Sequence, residues 1–372
     1  MPSGVGSLPL TDVKTALKVV FETFPECPHW PQLPKLKEEY FVTQFLGPLL
    51  DLDLLEFSEG KGWGFKDKNP DFVDNMTRFY EWYLESEEPG GNRDAALDRF
   101  AMTKKGARGF YAFLEAFGGD ECLSRLLQAD PLVVKGQIIG PVSAGFLLHD
   151  AEGKASFYRP DLRDILVKCL KKTAQWQVRR LGAVTGKRPM VFVDEAFLSA
   201  YGSQMFVSLD RRDIVEALDE MLEGIEAEGG ISGVHACTGG EWSILFETRA
   251  NVVNTDVYGY FTSILGCLDA FNGFLERGGI FAWGVVPTSE AATRETVETI
   301  VHRLVDYMVA LKGKGVNEKR LSKQSIVTPS CGTGTLSEEL ALRIYELTKE
   351  VAARLRDDMP LRNPNDKGRY QM

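Results

Sequence analysis

The sequence predicts a single α/β domain, a (β/α)8 TIM barrel, over residues 1–372. The first observation behind this is that short apolar runs alternate with long amphipathic segments over the last two thirds of the chain. The second is that these runs are mostly rich in β-branched residues and bounded by Gly, Pro or polar residues, which is typical of buried parallel strands. The third is that no Gly-rich dinucleotide fingerprint follows the first predicted strand, which counts against the alternative of a doubly wound open sheet.

Six strands are well defined by the sequence, and two more are weaker. The well-defined strands are residues 133–140 (VVKGQIIG), 190–194 (MVFVD), 231–237 (ISGVHAC), 251–256 (NVVNTD), 280–286 (IFAWGVV) and 325–331 (SIVTPSC). We predict that residues 5–8 form the first strand and that the apolar run 49–57 forms the second. Eight parallel strands alternating with helices in one chain favour a closed barrel.

Four long segments carry apolar residues at the i, i+3 and i+4 spacing of a helix that buries one face. They are residues 161–181, 211–227, 289–311 and 337–357. Ser289 and Ser337 are each followed by a glutamate, and a hydroxyl cap followed by an acid in the first turn is typical of a helix start. The segment 38–129 has the least regular pattern and is predicted to be an irregular insertion in the barrel.

Composition excludes several classes of protein. The chain has 43 Lys and Arg against 53 Asp and Glu, a net charge of −10 that argues against nucleic-acid binding. It holds no apolar run of about 18 residues or more, so we expect no membrane span. The N-terminus lacks the pattern of a signal peptide, and the six cysteines are scattered, which suits reduced thiols in a cytoplasmic protein.

The carboxyl ends of the predicted strands hold the candidate site, because active sites of such barrels lie there. His235 and Cys237 are two residues apart, so both side chains point to one face of their strand. Cys331 ends the last strand, and Asp256 ends a strand between them in sequence. One nitrogen, two sulfurs and an oxygen suit tetrahedral Zn²⁺ better than Mg²⁺ or Ca²⁺. We therefore predict a catalytic zinc site, the alternative being that these residues only pack in the core.

Zinc with two thiolate ligands is a weak activator of water but is well suited to hold a substrate thiol as the thiolate. The sequence therefore predicts attack by a thiolate on an activated alkyl group, with Asp256 as a weak ligand that the thiol displaces. Asp194 and Glu195 are a candidate acid–base pair, of which only one faces the site because adjacent residues on a strand face opposite ways. Trp283 is a candidate for ligand contact, with a core position as the alternative.

Five short motifs occur in the same order, and at similar intervals, as in a known family. They are residues 4–9 (GVGSLP), 135–141 (KGQIIGP), 193–195 (VDE), 235–237 (HAC) and 329–332 (PSCG). In this ordered set the chain resembles the catalytic barrel of cobalamin-independent methionine synthase. The wider superfamily includes uroporphyrinogen decarboxylase and the methylcobalamin:coenzyme M methyltransferases.

The resemblance implies a methyltransferase of methionine biosynthesis that moves a methyl group to a thiol, with homocysteine favoured. It implies that His235, Cys237 and Cys331 bind zinc, and it places Asp256 where the family has a ligating glutamate. The residues it assigns to the substrates are Val5, Gly6, Ser7 and Asp194 for the amino-acid part of homocysteine and Gly140 and Pro141 for the methyl-donor side.

Three departures from the family qualify these expectations. The glutamate ligand is replaced by the shorter Asp256, and a second homocysteine-binding glutamate has no counterpart. A second, N-terminal barrel is missing from the sequence, so we expect a methylcorrinoid protein rather than a methylfolate as donor. The alternatives are a methylcobalamin:coenzyme M-type methyltransferase, and a decarboxylase of the uroporphyrinogen type. The lack of any arginine in the first 35 residues counts against the decarboxylase.

Overall fold

Six parallel strands form the centre of the fold. The computed structural model describes residues 1–40, 43–88, 90, 93–201 and 209–358. In chain order the strands are β1 (Leu55–Ser58), β2 (Gly62–Phe65), β3 (Val134–Ile139), β4 (Pro189–Asp194), β5 (Ile231–Ala236), β6 (Val252–Thr255), β7 (Ile280–Val286) and β8 (Ser325–Pro329). Strands β3 to β8 pair in sequence order into one curled parallel sheet, whereas β1 and β2 form a separate antiparallel hairpin.

Helices precede the sheet and connect its strands. Before β3 lie α1 (Val13–Thr23), α2 (Gly47–Asp51), α3 (Phe72–Glu87), α4 (Arg93–Leu97), α5 (Arg108–Phe117) and α6 (Glu121–Ser124). After β3 lie α7 (Pro141–Leu147), α8 (Pro160–Thr185), α9 (Arg211–Ala227), α10 (Ser243–Glu247), α11 (Val257–Tyr260), α12 (Thr262–Leu265), α13 (Leu268–Glu276), α14 (Val297–Gly313), α15 (Glu318–Lys323) and α16 (Glu338–Asp358). None of the described helices is both long and apolar enough to cross a membrane.

The six well-defined strands of the sequence prediction are confirmed, and three of the four predicted helices match α8, α9 and α16. The prediction of one helix over 289–311 is wrong in its first turn. Ser289 caps only the short 3₁₀ turn Glu290–Thr293, and α14 begins after Thr296, whose side chain accepts a hydrogen bond from the Thr299 amide. The two caps therefore start two separate elements, a 3₁₀ turn and then α14.

The predicted second strand is also wrong. The apolar run 49–57 is divided by Asp53, whose φ of 53° lies in the left-handed region and turns the chain between α2 and β1. Strand β1 then pairs antiparallel with β2, with Leu55 opposite Phe65, and takes no part in the parallel sheet. Within 38–129 the described residues form α2 to α6 and this hairpin.

Two extended segments near the N-terminus link the edge strands β8 and β3 through isolated parallel bridges. The Ser3 amide donates to the Val327 carbonyl at 3.1 Å, and the Leu8 amide donates to the Gln32 carbonyl at 2.9 Å. The Lys135 amide of β3 donates in turn to the Pro28 carbonyl at 2.8 Å. The predicted first strand, residues 5–8, lies on the first of these segments. Residues 28–32 form the second segment, and they take the place next to β3 for which residues 49–57 were predicted as the second strand.

The start of α7 is fixed to the end of β4. The Glu195 carboxylate accepts hydrogen bonds from the Val142 amide at 2.9 Å and from the Ser143 amide and hydroxyl at 2.8 and 2.6 Å. Acceptors at a helix N-terminus satisfy amides that have no partner within the helix. A Cβ atom at Gly140 would lie 2.2 Å from the Glu195 carboxyl carbon, so this position needs glycine.

We expect Gly140→Ala to lower the free energy of unfolding by about 1–3 kcal/mol, because the new methyl group displaces the Glu195 carboxylate. Urea denaturation measures this change. Gly273→Ala is the matched control, since Gly273 lies in α13 with no neighbour within 4 Å of the new Cβ. Its stability should stay the same or rise, because alanine favours the helix. Equal stability of Gly140→Ala and wild type would contradict this account.

Candidate metal centre

Three metal-ligating side chains meet at the carboxyl edge of the sheet. His235 is in β5, Cys237 follows β5, and Cys331 follows β8. Their ligand atoms all lie within 4.8 Å of one another, and His235 Nε2 is 3.0 Å from Cys237 Sγ. Among the described residues they are the one group of three or more histidine, cysteine and acidic side chains with this spacing. His235 is buried, and both cysteines are partly exposed.

The curl of the sheet brings Cys331 to His235, although β6 and β7 separate their strands. Gly284 in β7 permits the close approach of the neighbouring backbones. A Cβ atom there would lie 2.4 Å from the Thr255 carbonyl oxygen and 3.0 Å from Ser330 Cα. The register of β7 and β8 also shifts between Gly284 and Val286, and such a bulge bends a strand. These two features place the end of β8 against the end of β5.

The two thiols share one negative charge. The hydrogen bond from the Cys237 thiol, together with the neighbouring His235, lowers the pKa of Cys331 to about 4 despite burial. The Cys331 thiolate and burial raise the pKa of Cys237 well above its ordinary value. An imidazole, a thiolate and a thiol that readily loses its proton to a metal form a strong donor set for a soft or borderline cation.

Asp194 lies next to this cluster. It is the register partner of His235 in the pairing of β4 with β5. Burial raises its pKa to about 6, although His235 and Lys135 nearby favour the charged form. Its Oδ1 atom is buried and makes no hydrogen bond to any described group, so this oxygen is a free acceptor at the site. Of the predicted acid–base pair, only Asp194 faces the cluster, because Glu195 turns away to cap α7.

Asp256, the predicted fourth ligand, lies at the end of β6 and caps α11. Its Oδ1 accepts a hydrogen bond from the Gly259 amide at 2.8 Å. Burial raises the pKa of Asp256, and the neighbouring Cys331 thiolate raises it further. Its oxygens lie outside the group of three whose ligand atoms are within 4.8 Å of one another. The structure therefore brings Asp256 near the cluster but holds it as a helix cap.

The segment Val5, Gly6 and Ser7 lies against the loop that carries Cys331. The Ser7 carbonyl accepts hydrogen bonds from the Thr333 amide at 3.1 Å and from its hydroxyl at 2.9 Å. A Cβ atom at Gly332 would lie 2.3 Å from Ser7 Oγ, so the two chains are in direct contact. The structure thus brings the predicted acceptor-binding segment to the cluster.

Two other predicted groups are placed differently. Gly140 and Pro141 are buried at the start of α7, against Glu195, and border the site through β4. Trp283 is fully buried on the helix side of β7, where its Nε1 donates to Ser325 Oγ at 2.9 Å. Its ring packs against Phe281, two residues earlier on the same face. The structure does not bring Trp283 to the cluster.

Sequence reasoning missed the polar layer beneath the cluster. Lys135, Asn254 and Thr328 line a small cavity inside the sheet together with Asp194 and His235. Asn254 donates to Thr328 Oγ1 at 2.8 Å and to the Ala282 carbonyl at 2.7 Å. The signal was available for Lys135, since a lysine in the middle of an apolar parallel strand requires a buried partner.

No protein-family model matches the chain, and no curated protein matches it at a significant level. Among solved structures, it is similar to a B12-independent methionine synthase from Shewanella sp. W3-18-1 in complex with selenomethionine. That similarity has 14% identity and a TM-score of 0.43, over 66% of this chain and 67% of the other. It is also similar to a Listeria monocytogenes protein assigned as a vitamin-B12-independent methionine synthase, with 14% identity and a TM-score of 0.45 over 96% of this chain and 98% of that one.

A GH20 catalytic module of the pneumococcal exo-β-D-N-acetylglucosaminidase StrH is similar at 10% identity and a TM-score of 0.46, over 99% of this chain and 89% of the other. All three TM-scores lie below 0.5. The chemistry of this chain therefore has to follow from its own residues.

We expect the purified protein to bind about one Zn²⁺ or Co²⁺ per chain through this cluster. The Co²⁺ form should show a thiolate-to-cobalt absorption band, because two sulfurs coordinate the ion. Cys237→Ser and Cys331→Ser should each lower the metal affinity by more than about 100-fold, since even indirect partners of a metal ligand contribute 10–100-fold. Titration with a chromophoric chelator measures both affinities.

Cys122→Ser is the control for these variants, because Cys122 is exposed and outside the cluster. It should keep the metal affinity and the absorption band of wild type. A wild-type protein without stoichiometric metal, or full retention of metal by Cys331→Ser, would show that the three side chains do not form a metal site.

The lowered pKa of Cys331 predicts the pH dependence of its alkylation in metal-free protein. The thiolate reacts, so the rate of modification by iodoacetamide should hold steady as the pH falls from about 8 and decline only near the pKa of about 4. Mass spectrometry of the Cys331 peptide measures this rate. Cys237→Ala removes the donor to the thiolate and should move the decline to higher pH. A wild-type rate that falls tenfold per pH unit below about 8 would contradict the prediction.

Proposed function

We propose that this chain is a zinc-dependent methyltransferase that moves a methyl group to the sulfur of a small thiol, with homocysteine as the leading acceptor. The observation that carries the proposal is the cluster of His235, Cys237 and Cys331, with ligand atoms within 4.8 Å of one another at the carboxyl edge of a parallel sheet. Ligands from separate strands at this edge are typical of a catalytic site.

The side chains fit a zinc ion. A tetrahedral site with Zn–S of about 2.3 Å and Zn–N of about 2.0 Å separates its ligand atoms by about 3.5–3.8 Å. The three ligand atoms lie within 4.8 Å of one another, and His235 Nε2 is 3.0 Å from Cys237 Sγ, so shifts of about 1 Å bring them to these separations. His235 presents Nε2 to Cys237, and its buried Nδ1 makes no hydrogen bond to any described group. Three protein ligands leave one position open for a substrate, as in other catalytic zinc sites.

When bound, zinc supplies positive charge that lowers the pKa of an acceptor thiol and so raises the fraction of nucleophilic thiolate. The chain orients the acceptor. The free Oδ1 of Asp194 is suited to accept a hydrogen bond from an acceptor ammonium group. The backbone of Val5, Gly6 and Ser7 lies beside the Cys331 loop, within reach of the same small molecule. In the transfer, a sulfur–carbon bond forms, the bond from the methyl group to its donor breaks, and the thiol proton is released.

The proposal includes a closed (β/α)8 barrel as a single domain. The parallel bridges from β8 through Ser3, Leu8 and Gln32 to Lys135 of β3 support it, because they join the two edges of the six-stranded sheet. The proposal also keeps Asp256 as a weak fourth ligand, which would have to release the Gly259 amide to coordinate the ion.

The methyl donor in this proposal is a methylcorrinoid or a methylfolate, as the sequence resemblance implies. A methyltransferase of the coenzyme M type would use the same cluster with a different thiol, so the acceptor panel below includes a sulfonate thiol. A decarboxylase of the uroporphyrinogen type would not require the three ligands to converge.

When homocysteine is added, purified zinc-loaded protein should take the methyl group from one of two kinds of donor. The first kind is a methylcorrinoid, either methylcobalamin or a methylcorrinoid protein, and the second is a methylfolate. The cobalamin spectrum follows the first reaction, and mass spectrometry detects methionine in both. Asp194→Asn should raise the KM for homocysteine by about 10–100-fold with full zinc content, because the charge-assisted hydrogen bond to the ammonium group is lost.

The acceptor panel separates the possible outcomes of this experiment. Turnover with 2-mercaptoethanesulfonate and none with homocysteine would replace the acceptor in our proposal. Absence of methyl transfer from every donor to every thiol, with zinc fully bound, would overturn it.

A further inference from the structure

Lys135 places a positive charge inside the sheet, directly beneath the metal cluster. The residue is 3% exposed, and burial lowers the pKa of its ammonium group to about 8. The Nζ atom donates a hydrogen bond to the Val5 carbonyl oxygen at 2.5 Å and lies 4.7 Å from the centre of the Phe192 ring. A buried lysine is costly without such partners, so its position is set by what it contacts.

Lys135 reaches Val5 across an intervening stretch of chain. Residues 28–32 lie between β3 and the Val5 segment, and the Lys135 amide donates to the Pro28 carbonyl there. Gln137, the next inward-facing residue of β3, contacts the same segment, because its side-chain amide group packs against Gly6. A Cβ atom at Gly6 would lie 2.6 Å from the Gln137 side-chain carbonyl carbon. Lys135 therefore holds this segment by a hydrogen bond, and Gln137 packs against it.

The carbonyl groups of that segment are all occupied. The Val5 oxygen accepts from Lys135, the Gly6 oxygen accepts from the Gln32 amide at 3.0 Å, and the Ser7 oxygen accepts from Thr333. None of the hydrogen bonds among the described residues uses the amide of Val5, Gly6 or Ser7. The three amides are therefore the backbone groups of this segment that remain open to a ligand, and an amide N–H is suited to donate to a carboxylate.

We infer that Lys135 is a positioning residue for the acceptor, because its ammonium group holds the Val5 carbonyl and directs the Val5–Ser7 backbone toward a carboxylate on that molecule. The inference rests on the proposed function and extends it to the residue that organises the acceptor side. Without the lysine, the Val5 carbonyl has no donor and rotates, and the nearest positive charge beneath the acceptor is lost. Loss of the lysine should therefore raise the KM of acceptor thiols that carry a carboxylate.

The test compares Lys135→Met with wild type in the zinc-loaded enzyme. Methionine has a similar length and volume but neither charge nor donor. We expect the KM for homocysteine to rise at least about tenfold, with kcat changed less than about threefold and zinc content unchanged. Lys135→Gln keeps an N–H donor without charge, so its KM for homocysteine should lie between those of wild type and Lys135→Met. The KM for 2-mercaptoethanol, a thiol without a carboxylate, should not change.

Lys172→Met is the matched control. The Lys172 side chain is also fully buried, and it pairs with Glu87 and lies 4.8 Å from the centre of the Tyr83 ring, on the helix side of the fold. This variant should lose stability without any change in the KM for homocysteine. Hydrogen exchange of peptides that cover residues 1–10 gives a readout independent of turnover, and exchange should be faster in Lys135→Met than in Lys172→Met.

The outcomes separate the inference from the proposed function. An active wild type whose KM for homocysteine is unchanged in Lys135→Met overturns the inference and leaves the proposed function standing. An equal rise of KM for homocysteine and for 2-mercaptoethanol also overturns it, since the lysine would then act only on the structure. A zinc-loaded wild type that methylates no thiol overturns the proposed function and the acceptor role of Lys135 together.

Discussion

The parallel direction of six strands is the constraint on which the candidate site depends. Because β3 to β8 all run the same way, every residue that follows a strand lies at one edge of the sheet. The register of β4 with β5 sets Asp194 beside His235, and the end of β8 carries Cys331 to the same place. If β8 ran the other way, its five residues would move Cys331 by about 16 Å, far beyond the reach of any metal bond.

The interior beneath the site contains polar side chains, and burying them lowers the stability of the fold. Asp194 Oδ1 and His235 Nδ1 are buried and make no hydrogen bond to any described group, and each such atom costs about 1–3 kcal/mol. A sheet interior filled with apolar side chains would avoid this cost, and Met190, Phe192 and Val252 pack together in this way nearer the other end of the strands. Two such atoms beside three metal-ligating side chains are typical of a site that binds a ligand.

Much of this arrangement could be predicted from the sequence, because it depends on local patterns. Apolar runs define the six strands, and the carboxyl ends of two of these runs, 231–237 and 325–331, contain all three members of the cluster. The linking segment 28–32 could not be recognised, since Pro28 and Pro31 interrupt it and it pairs with its neighbours through isolated bridges. The position of Trp283 could have been found from alternation, because Phe281 and Trp283 share the face of β7 that packs on the helices. A lysine within the apolar strand β3 could be noticed from the sequence, but its contact with Val5, 130 positions away, could not.

The proposed function requires that His235, Cys237 and Cys331 bind one zinc ion and leave a position open for a thiol. X-ray absorption at the zinc edge of the loaded protein measures the number and type of ligand atoms. We expect two sulfur ligands at about 2.3 Å and one imidazole nitrogen at about 2.0 Å, with a third sulfur when homocysteine is added. A shell of nitrogen and oxygen atoms alone, or a sulfur count that does not change with homocysteine, would contradict it.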